Sequence, residues 1–259
     1  MAHAQNAIAE QDRPYQPFTP QAVPGENARL GLIALATDPA TEPEWRRMIP
    51  DDDIALYVTR IPYSSNCTPE GLMAMAEGMT DAARLIDARL KVDVIAYSCT
   101  SGTVTIGYDN VTRRIRAAHP DIPCSTPITG AVEAFNRLQA SKIGVVTPYT
   151  NAINATMENY LVNEGCELTG MTGFGLTIDR EIASIPMKDL ANAVADVLTD
   201  ETEAIFFSCT ALIIADHIDA LEQRFGLPVV TSNQAMLWQS LRLAGYKKPI
   251  AGFGRLMTL

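Results

Sequence analysis

Basic residues, histidine and cysteine are all scarce in this chain of 259 residues, and each shortage removes a class of function. Twenty Lys and Arg face thirty Asp and Glu, for a formal charge of −10. No surface of this balance neutralises a phosphate backbone, so a nucleic-acid partner is not expected. Three histidines leave little room for a histidine-based triad. His119 precedes Pro120 at an expected helix end and His217 falls within the helix-patterned IIADHIDALEQRF, and neither has a Cys, Ser or carboxylate partner at a suitable spacing. Five irregularly spaced cysteines form neither a disulfide framework nor a CxxC or Cys/His metal pattern, which points to reduced thiols in a cytoplasmic protein and to no metal. Asp51, Asp52 and Asp53 read as a solvated turn, since a hard-cation loop needs alternating ligands and a tight glycine turn. No apolar run approaches the roughly 18 to 20 residues of a membrane span, and the first 28 residues contain none of signal-peptide length. Asn66-Cys67-Thr68 is therefore read as a helix start, with Thr68 as cap, Pro69 in the first turn and Glu70 at the positive end.

What is abundant is buried strand. Residues 1–28 are rich in Pro, Gln and Asn and predict an extended arm suited to contact a neighbouring subunit of a homo-oligomer. From Arg29 onward, short apolar runs stop at Thr, Ser or Gly and are followed by helix-patterned stretches. The clearest strands are 30–37, 54–61, 92–98, 142–147, 204–208 and 228–232, with helices over 71–90 and 188–198. This is an α/β pattern built on parallel sheets.

The pattern occurs twice. RLGLIALATDPAT pairs with SKIGVVTPYTNA, VIAYSCTSGT with AIFFSCTALI, and DIPCSTP with GLPVVTS, in the same order and at a slowly drifting spacing. Two homologous halves are implied, with 29–124 plus 233–259 as one lobe and 125–232 as the other. Each SCT lies where an apolar strand ends and a helix is expected, and ligands of open parallel sheets bind at the carboxyl ends of strands. Amides at that helix start, Ala211 among them, together with the hydroxyls of Thr100, Ser101, Thr103 and Thr210, suit a carboxylate. The positive helix end is also expected to lower the thiol pKa of Cys99 and Cys209. If a pseudo-twofold axis relates the halves, the two sulfurs face one bound molecule from opposite sides. One thiolate then removes a proton beside the carboxylate while the other thiol returns one. The same cleft also suits addition of a sulfur to a C=C bond, rotation and departure. Cys67, Cys124 and Cys166 lack the repeated context and read as structural.

The SCT pair, the TPYT loop at 147–150 and the tail GFGRL at 252–256 resemble the aspartate/glutamate racemase superfamily, in particular its arylmalonate decarboxylase, maleate isomerase and ectoine-utilisation branch. The resemblance implies two pseudo-symmetric Rossmann-like lobes, each with a roughly four-stranded parallel sheet flanked by helices, and an active site between them that uses neither metal nor organic cofactor. It places Cys99 and Cys209 at the catalytic cysteines, Thr100 and Ser101 at the oxyanion-binding positions, and Tyr149 at a carboxylate-binding tyrosine. Maleate isomerases of this branch resemble one another in a Ser-Ser-Asn first loop, where this chain has Thr37-Asp38-Pro39. An ionised Asp38 repels a second carboxylate and accepts an N–H or ammonium group, or else it caps the helix starting near Thr41. Arylmalonate decarboxylases retain only the second-half cysteine. The expectation is therefore a cofactor-independent racemase or isomerase of a small, nitrogen-bearing carboxylate. A maleate-type cis–trans isomerase and an arylmalonate-type decarboxylase are the alternatives.

Overall fold

A computed structural model of the chain describes residues 15–21, 23–50, 52–63 and 67–259. Most of the expected arm, residues 1–14 and residue 22, lies outside the described residues, as do Asp51 and Asn66. Residues 15–21 are exposed and carry neither helix nor strand.

Two four-stranded parallel sheets form the frame, each strand reaching its neighbour through a helical crossover. The first comprises β1 (Ala28–Leu35), β2 (Ile54–Ile61), β3 (Val94–Tyr97) and β4 (Cys124–Ser125), in the order β2-β1-β3-β4. The second comprises β5 (Lys142–Thr147), β6 (Glu167–Gly173), β7 (Ala204–Phe207) and β8 (Val229–Thr231), in the order β6-β5-β7-β8. The two orders are the same, as the sequence repeat requires. Strands β1, β3, β5 and β7 are almost wholly buried, which accounts for their unbroken apolar character. The sequence patterns miss two strands. β4 is only two residues long, and β6 reads ELTGMTG, with polar residues and glycine in place of an apolar run.

In each sheet the direction of travel reverses between the first and third strands of the half. Such switch points leave a crevice at the carboxyl ends of the strands. Here they fall between β1 and β3, ahead of Thr37-Asp38 and Ser98-Cys99, and between β5 and β7, ahead of Pro148-Tyr149 and Ser208-Cys209. The topology thus selects these four loops as walls of a site.

Helices α5 (Pro127–Leu138) and α10 (Ser232–Leu243) follow the last strands of the two halves and pack against each other. Both begin with a capping box, Thr126 with Thr129 and Thr231 with Gln234. Their approach is close enough that a Cβ on Gly130 would lie 2.6 Å from the Ala235 carbonyl oxygen. Helix α10 also contacts β1, β3 and β4 of the first sheet and β8 of the second, and the short α11 (Gly254–Met257) packs on α5, on β8 and on α9 (Ile218–Phe225), so the C-terminal segment touches both sheets.

Helix α2 (Pro69–Arg84) starts as its sequence predicts, with the Thr68 hydroxyl accepting from Gly71 N at 3.2 Å, but it stops short of residue 90. Asp52 pairs with Lys248 Nζ at 2.6 Å, and Asp53, at a φ of 52°, accepts from Gly25 N and Glu26 N. Among the described residues no cluster of His, Cys, Asp and Glu has metal-site geometry, and no helix is long and apolar enough to cross a membrane.

Candidate active site

Cys99 closes β3 and is the N-cap residue of α3 (Thr100–Ile106), its sulfur accepting from Gly102 N at 3.2 Å. An added Cβ at Gly102 would sit 2.7 Å from that sulfur and 2.9 Å from the Tyr97 hydroxyl, so any larger residue there displaces one of them. The Thr100 and Ser101 amides find no acceptor among the described residues, as expected of a first helical turn. The Ser101 hydroxyl stands between two sulfurs, 3.9 Å from Cys99 and 3.6 Å from Cys67. The Thr100 hydroxyl is committed elsewhere, to Ser232 at 2.9 Å, and the Thr103 hydroxyl returns to the Cys99 carbonyl at 2.7 Å.

The second half departs from the sequence expectation. No helix follows Cys209 directly. Thr210 and Ala211 form a turn, a 3-10 segment begins at Ala215, and His217 ends that segment instead of lying inside a helix. The Cys209 sulfur still receives one amide, Ala211 N at 3.4 Å. What fixes this turn is Glu44 of α1 (Thr41–Met48), in the other half of the chain. Its buried carboxylate accepts from Ile214 N and Ala215 N, both at 2.7 Å, and from Asn233 Nδ2 at 2.7 Å, while the same Asn233 amide donates to the Thr210 carbonyl at 2.9 Å. Nothing in the local sequence around Glu44 signals a partner about 170 positions away.

Asp38 faces inward to its own turn. Its carboxylate accepts from Ala40 N at 2.8 Å, Thr41 N at 3.0 Å, and the hydroxyls of Thr41 and Ser98. These contacts close the turn ahead of α1, whose N-cap residue is Ala40. The carboxylate that stands near the sulfurs is Asp179, the first residue of α7 (Asp179–Ala183). One of its oxygens accepts from the Thr37 hydroxyl, and it raises the pKa of Cys67, Cys99 and Cys209 alike.

Tyr149 is 2% exposed, and its hydroxyl has no hydrogen-bond partner among the described residues. It lies beside Cys209 without reaching hydrogen-bond geometry, and its acidity responds to Cys67 and Cys99 as well. Tyr63, half-buried after β2, senses Cys67, Cys99, Asp179 and Cys209 together. The two repeated cysteines, Ser101 and Tyr149 are therefore brought into one cluster. Cys67, Tyr63 and Asp179 join it without any sequence signal, and Cys67 is not the isolated packing residue its context suggested. Cys124 and Cys166 do not join it, and His119 is satisfied in the core, 3.0 Å from the Ala83 carbonyl.

The expected acidification of the thiols is overturned. Burial is the largest influence on Cys99 and Cys209 and pushes both well above the ordinary thiol range, while the amides of Gly102 and Ala211 only partly offset it. With the helix missing after Cys209 and both sulfurs buried, desolvation outweighs the local dipoles.

Two parallel sheets of one strand order, each followed by a cysteine at its switch point, define a class of two-lobed α/β proteins. The chain belongs to the arylmalonate decarboxylase family, whose profile matches residues 30–257. It is 28% identical over 246 residues to the arylmalonate decarboxylase of Bordetella bronchiseptica, covering 89% of this chain and 98% of that one. It is 23% identical over 241 residues to a maleate isomerase of Nocardia farcinica, covering 88% and 95%. In fold it resembles the maleate isomerase Iso of Pseudomonas putida S16, with a TM-score of 0.81 at 20% identity over 89% of this chain and 98% of that one. A variant of the Nocardia farcinica maleate cis-trans isomerase with a covalently bound succinylcysteine intermediate aligns with a TM-score of 0.80 at 22% identity over 89% and 98%.

Proposed function

We propose that the protein is a cofactor-independent isomerase that inverts the carbon beside the carboxylate of a small acid, with Cys99 and Cys209 as acid and base. The observation that carries this reading is the convergence of both repeat-equivalent thiols on one cluster with an unpartnered tyrosine hydroxyl. Tyr149 and Ser101, with the amides of Thr100 and Ser101, are the donors for the substrate carboxylate, while the Ala211 amide stays on the Cys209 sulfur and Thr210 borders the same turn. These donors take up charge as the carboxylate becomes enolate-like. One sulfur, as thiolate, takes the proton from one face of the carbon. The opposing thiol then delivers a proton to the other face and is left as thiolate, so the pair exchanges roles and no electrons are transferred. Burial makes the thiolate hard to form in the empty site and a stronger base once formed.

A second reading is favoured by the relatives: one sulfur adds to the C=C bond of a maleate-like acid, the new single bond rotates, and the sulfur leaves. An arylmalonate-type decarboxylase needs only one thiol to protonate the carbanion, and the retention of both sulfurs argues against it.

Proton NMR in deuterated water separates these reactions. Inversion exchanges the substrate's α-hydrogen with solvent, and Cys99→Ser and Cys209→Ser each lower the rate of inversion by about 100-fold or more, leaving at most exchange with retention in one enantiomer. Full inversion in either variant overturns the two-thiol mechanism. Geometric isomerisation without exchange selects the second reading, and carbon dioxide release that survives Cys99→Ser selects decarboxylation.

A further inference from the structure

The end of the first sheet away from Thr37-Asp38 carries a group of positive charges, in a chain whose formal charge is −10. An open cavity of about 560 Å³ lies there, with Arg29, Arg89 and Lys91 in its wall together with Tyr57, Leu90, Val23 and Pro24, and no Asp or Glu among them. Arg29 pairs in register with Ala55 and Gly31 with Tyr57, so Arg29 and Tyr57 project from one face of the sheet. Six residues of β1 separate Arg29 from Leu35, which places the cavity roughly 20 Å along the strand from the switch point.

The root of the arm is fixed over this wall. The Asp53 carboxylate accepts from Gly25 N at 2.8 Å and Glu26 N at 2.9 Å, its carbonyl accepts from Asn27 N at 3.2 Å, and Asn27 Nδ2 donates to the Asp52 carbonyl at 2.7 Å. Gly25 has a φ of 99°, and a Cβ there would lie 2.6 Å from Arg29 Cγ, so the chain crosses directly over the Arg29 stem. Val23, Pro24 and Arg29 precede residue 30, where the family match begins, so this side of the cavity lies outside the shared fold. The nearby carboxylates are committed, Asp53 to the arm amides, Asp93 to Arg29 N at 2.7 Å, and Asp87 to the Arg89 guanidinium. Among the described residues neither Arg29 nor Lys91 has an ion-pair partner. Lys91 is moreover held at a φ of 52°, a left-handed backbone that a residue with a side chain adopts at a cost.

We propose that this cavity is a second binding site, remote from the cysteines, for a flat organic phosphate of the nucleoside monophosphate type. The phosphate sits on Arg29 and Lys91, with Arg89 as a third cation, and the ring lies on the apolar surface of Tyr57, Leu90 and Pro24. A phosphate monoester carries close to two negative charges at neutral pH and so matches the two uncommitted cations, whereas a single carboxylate leaves one of them unmatched. The volume falls within the range of small-ligand pockets. The assignment is independent of the reaction at Cys99 and Cys209.

Isothermal titration calorimetry of the whole protein at low salt compares adenosine monophosphate with its two halves, adenosine and ribose 5-phosphate. The intact nucleotide is expected to bind at one site and more tightly than either half, with an affinity that falls as salt is added. Arg29→Gln and Lys91→Gly each weaken it by about ten-fold. Glycine is at ease at the left-handed φ of position 91, so Lys91→Gly removes the charge without endangering the fold and provides the readout should Arg29→Gln misfold. Tyr57→Ala weakens the nucleotide and leaves ribose 5-phosphate unchanged. Absence of nucleotide binding, or binding that Lys91→Gly leaves intact, overturns the site. Ribose 5-phosphate bound as tightly as the nucleotide overturns the place given to the ring, and adenosine bound as tightly overturns the role of the cations.

Discussion

Replacing Tyr149 by Phe should make the ligand-free protein more stable and the enzyme much slower. The side chain is 2% exposed and its hydroxyl has only the Cys209 sulfur beside it, outside good hydrogen-bond geometry, so folding strips water from a polar group with little compensation. A buried, unsatisfied hydroxyl costs about 1 to 3 kcal/mol, and a ring of nearly the same shape relieves that cost without opening a cavity. The lower end, about 1 kcal/mol, corresponds to a rise of roughly 2 to 4 °C in midpoint for a chain of this size class. The loop itself is unaffected, because it is held by the Tyr149 amide on the Thr147 hydroxyl at 3.1 Å and by Thr147 on Asn154 at 2.6 Å. Turnover moves the other way. Loss of one donor aimed at a developing oxyanion costs about 100- to 1000-fold in rate. Burial holds the Tyr149 pKa well above its usual value, so the hydroxyl remains a donor throughout the neutral range and adds no limb to the pH profile. Thermal unfolding followed by circular dichroism, beside single-turnover kinetics, reads both effects. A variant that melts earlier than the parent, or one that keeps its activity, would falsify the idea that this hydroxyl waits for substrate.

Glu44→Ala leaves the Ile214 and Ala215 amides and the Asn233 side chain without their acceptor. We expect a loss of about 3 kcal/mol or more in urea unfolding, with activity falling further than stability because the Cys209 turn is released. An activity loss explained wholly by the unfolded fraction would show that Glu44 does not position that turn. The raised thiol pKa values of Cys99 and Cys209 make a signed prediction for iodoacetamide. Only thiolate reacts, so alkylation of the ligand-free protein should still climb about ten-fold per pH unit near pH 9, where a free thiol of pKa about 8.5 is already levelling off. A plateau below neutral pH would mean that the local amides outweigh burial after all.

The chemistry that the sequence reveals is the chemistry that duplication repeats. Cys99 and Cys209 stand out because the same strand ends in the same three residues twice, and the matching sheet orders follow from the same repeat. Residues that serve only one half carry no such signature. Asp179 meets Thr37 across 142 positions and Glu44 meets Ala215 across 171, and each sits in a stretch whose local pattern describes an ordinary helix start or helix. The segment TALIIADHI has the composition of a helix from its first residue, yet it begins with a turn, because the Ile214 and Ala215 amides are drawn to Glu44. The direction of the thiol shifts was illegible for a related reason. Motif spacing shows the dipoles near a sulfur, whereas desolvation depends on every wall of the closed cluster.

Although the two sulfurs derive from one ancestral position, they are mechanically unequal. Cys99 caps a helix and is fixed by the Gly102 amide three residues on, so its direction is set by backbone. Cys209 hangs on a tether whose aim is governed by a carboxylate from the far side of the molecule. Changes at Glu44 or Asn233 can therefore re-aim the second sulfur while leaving the first untouched.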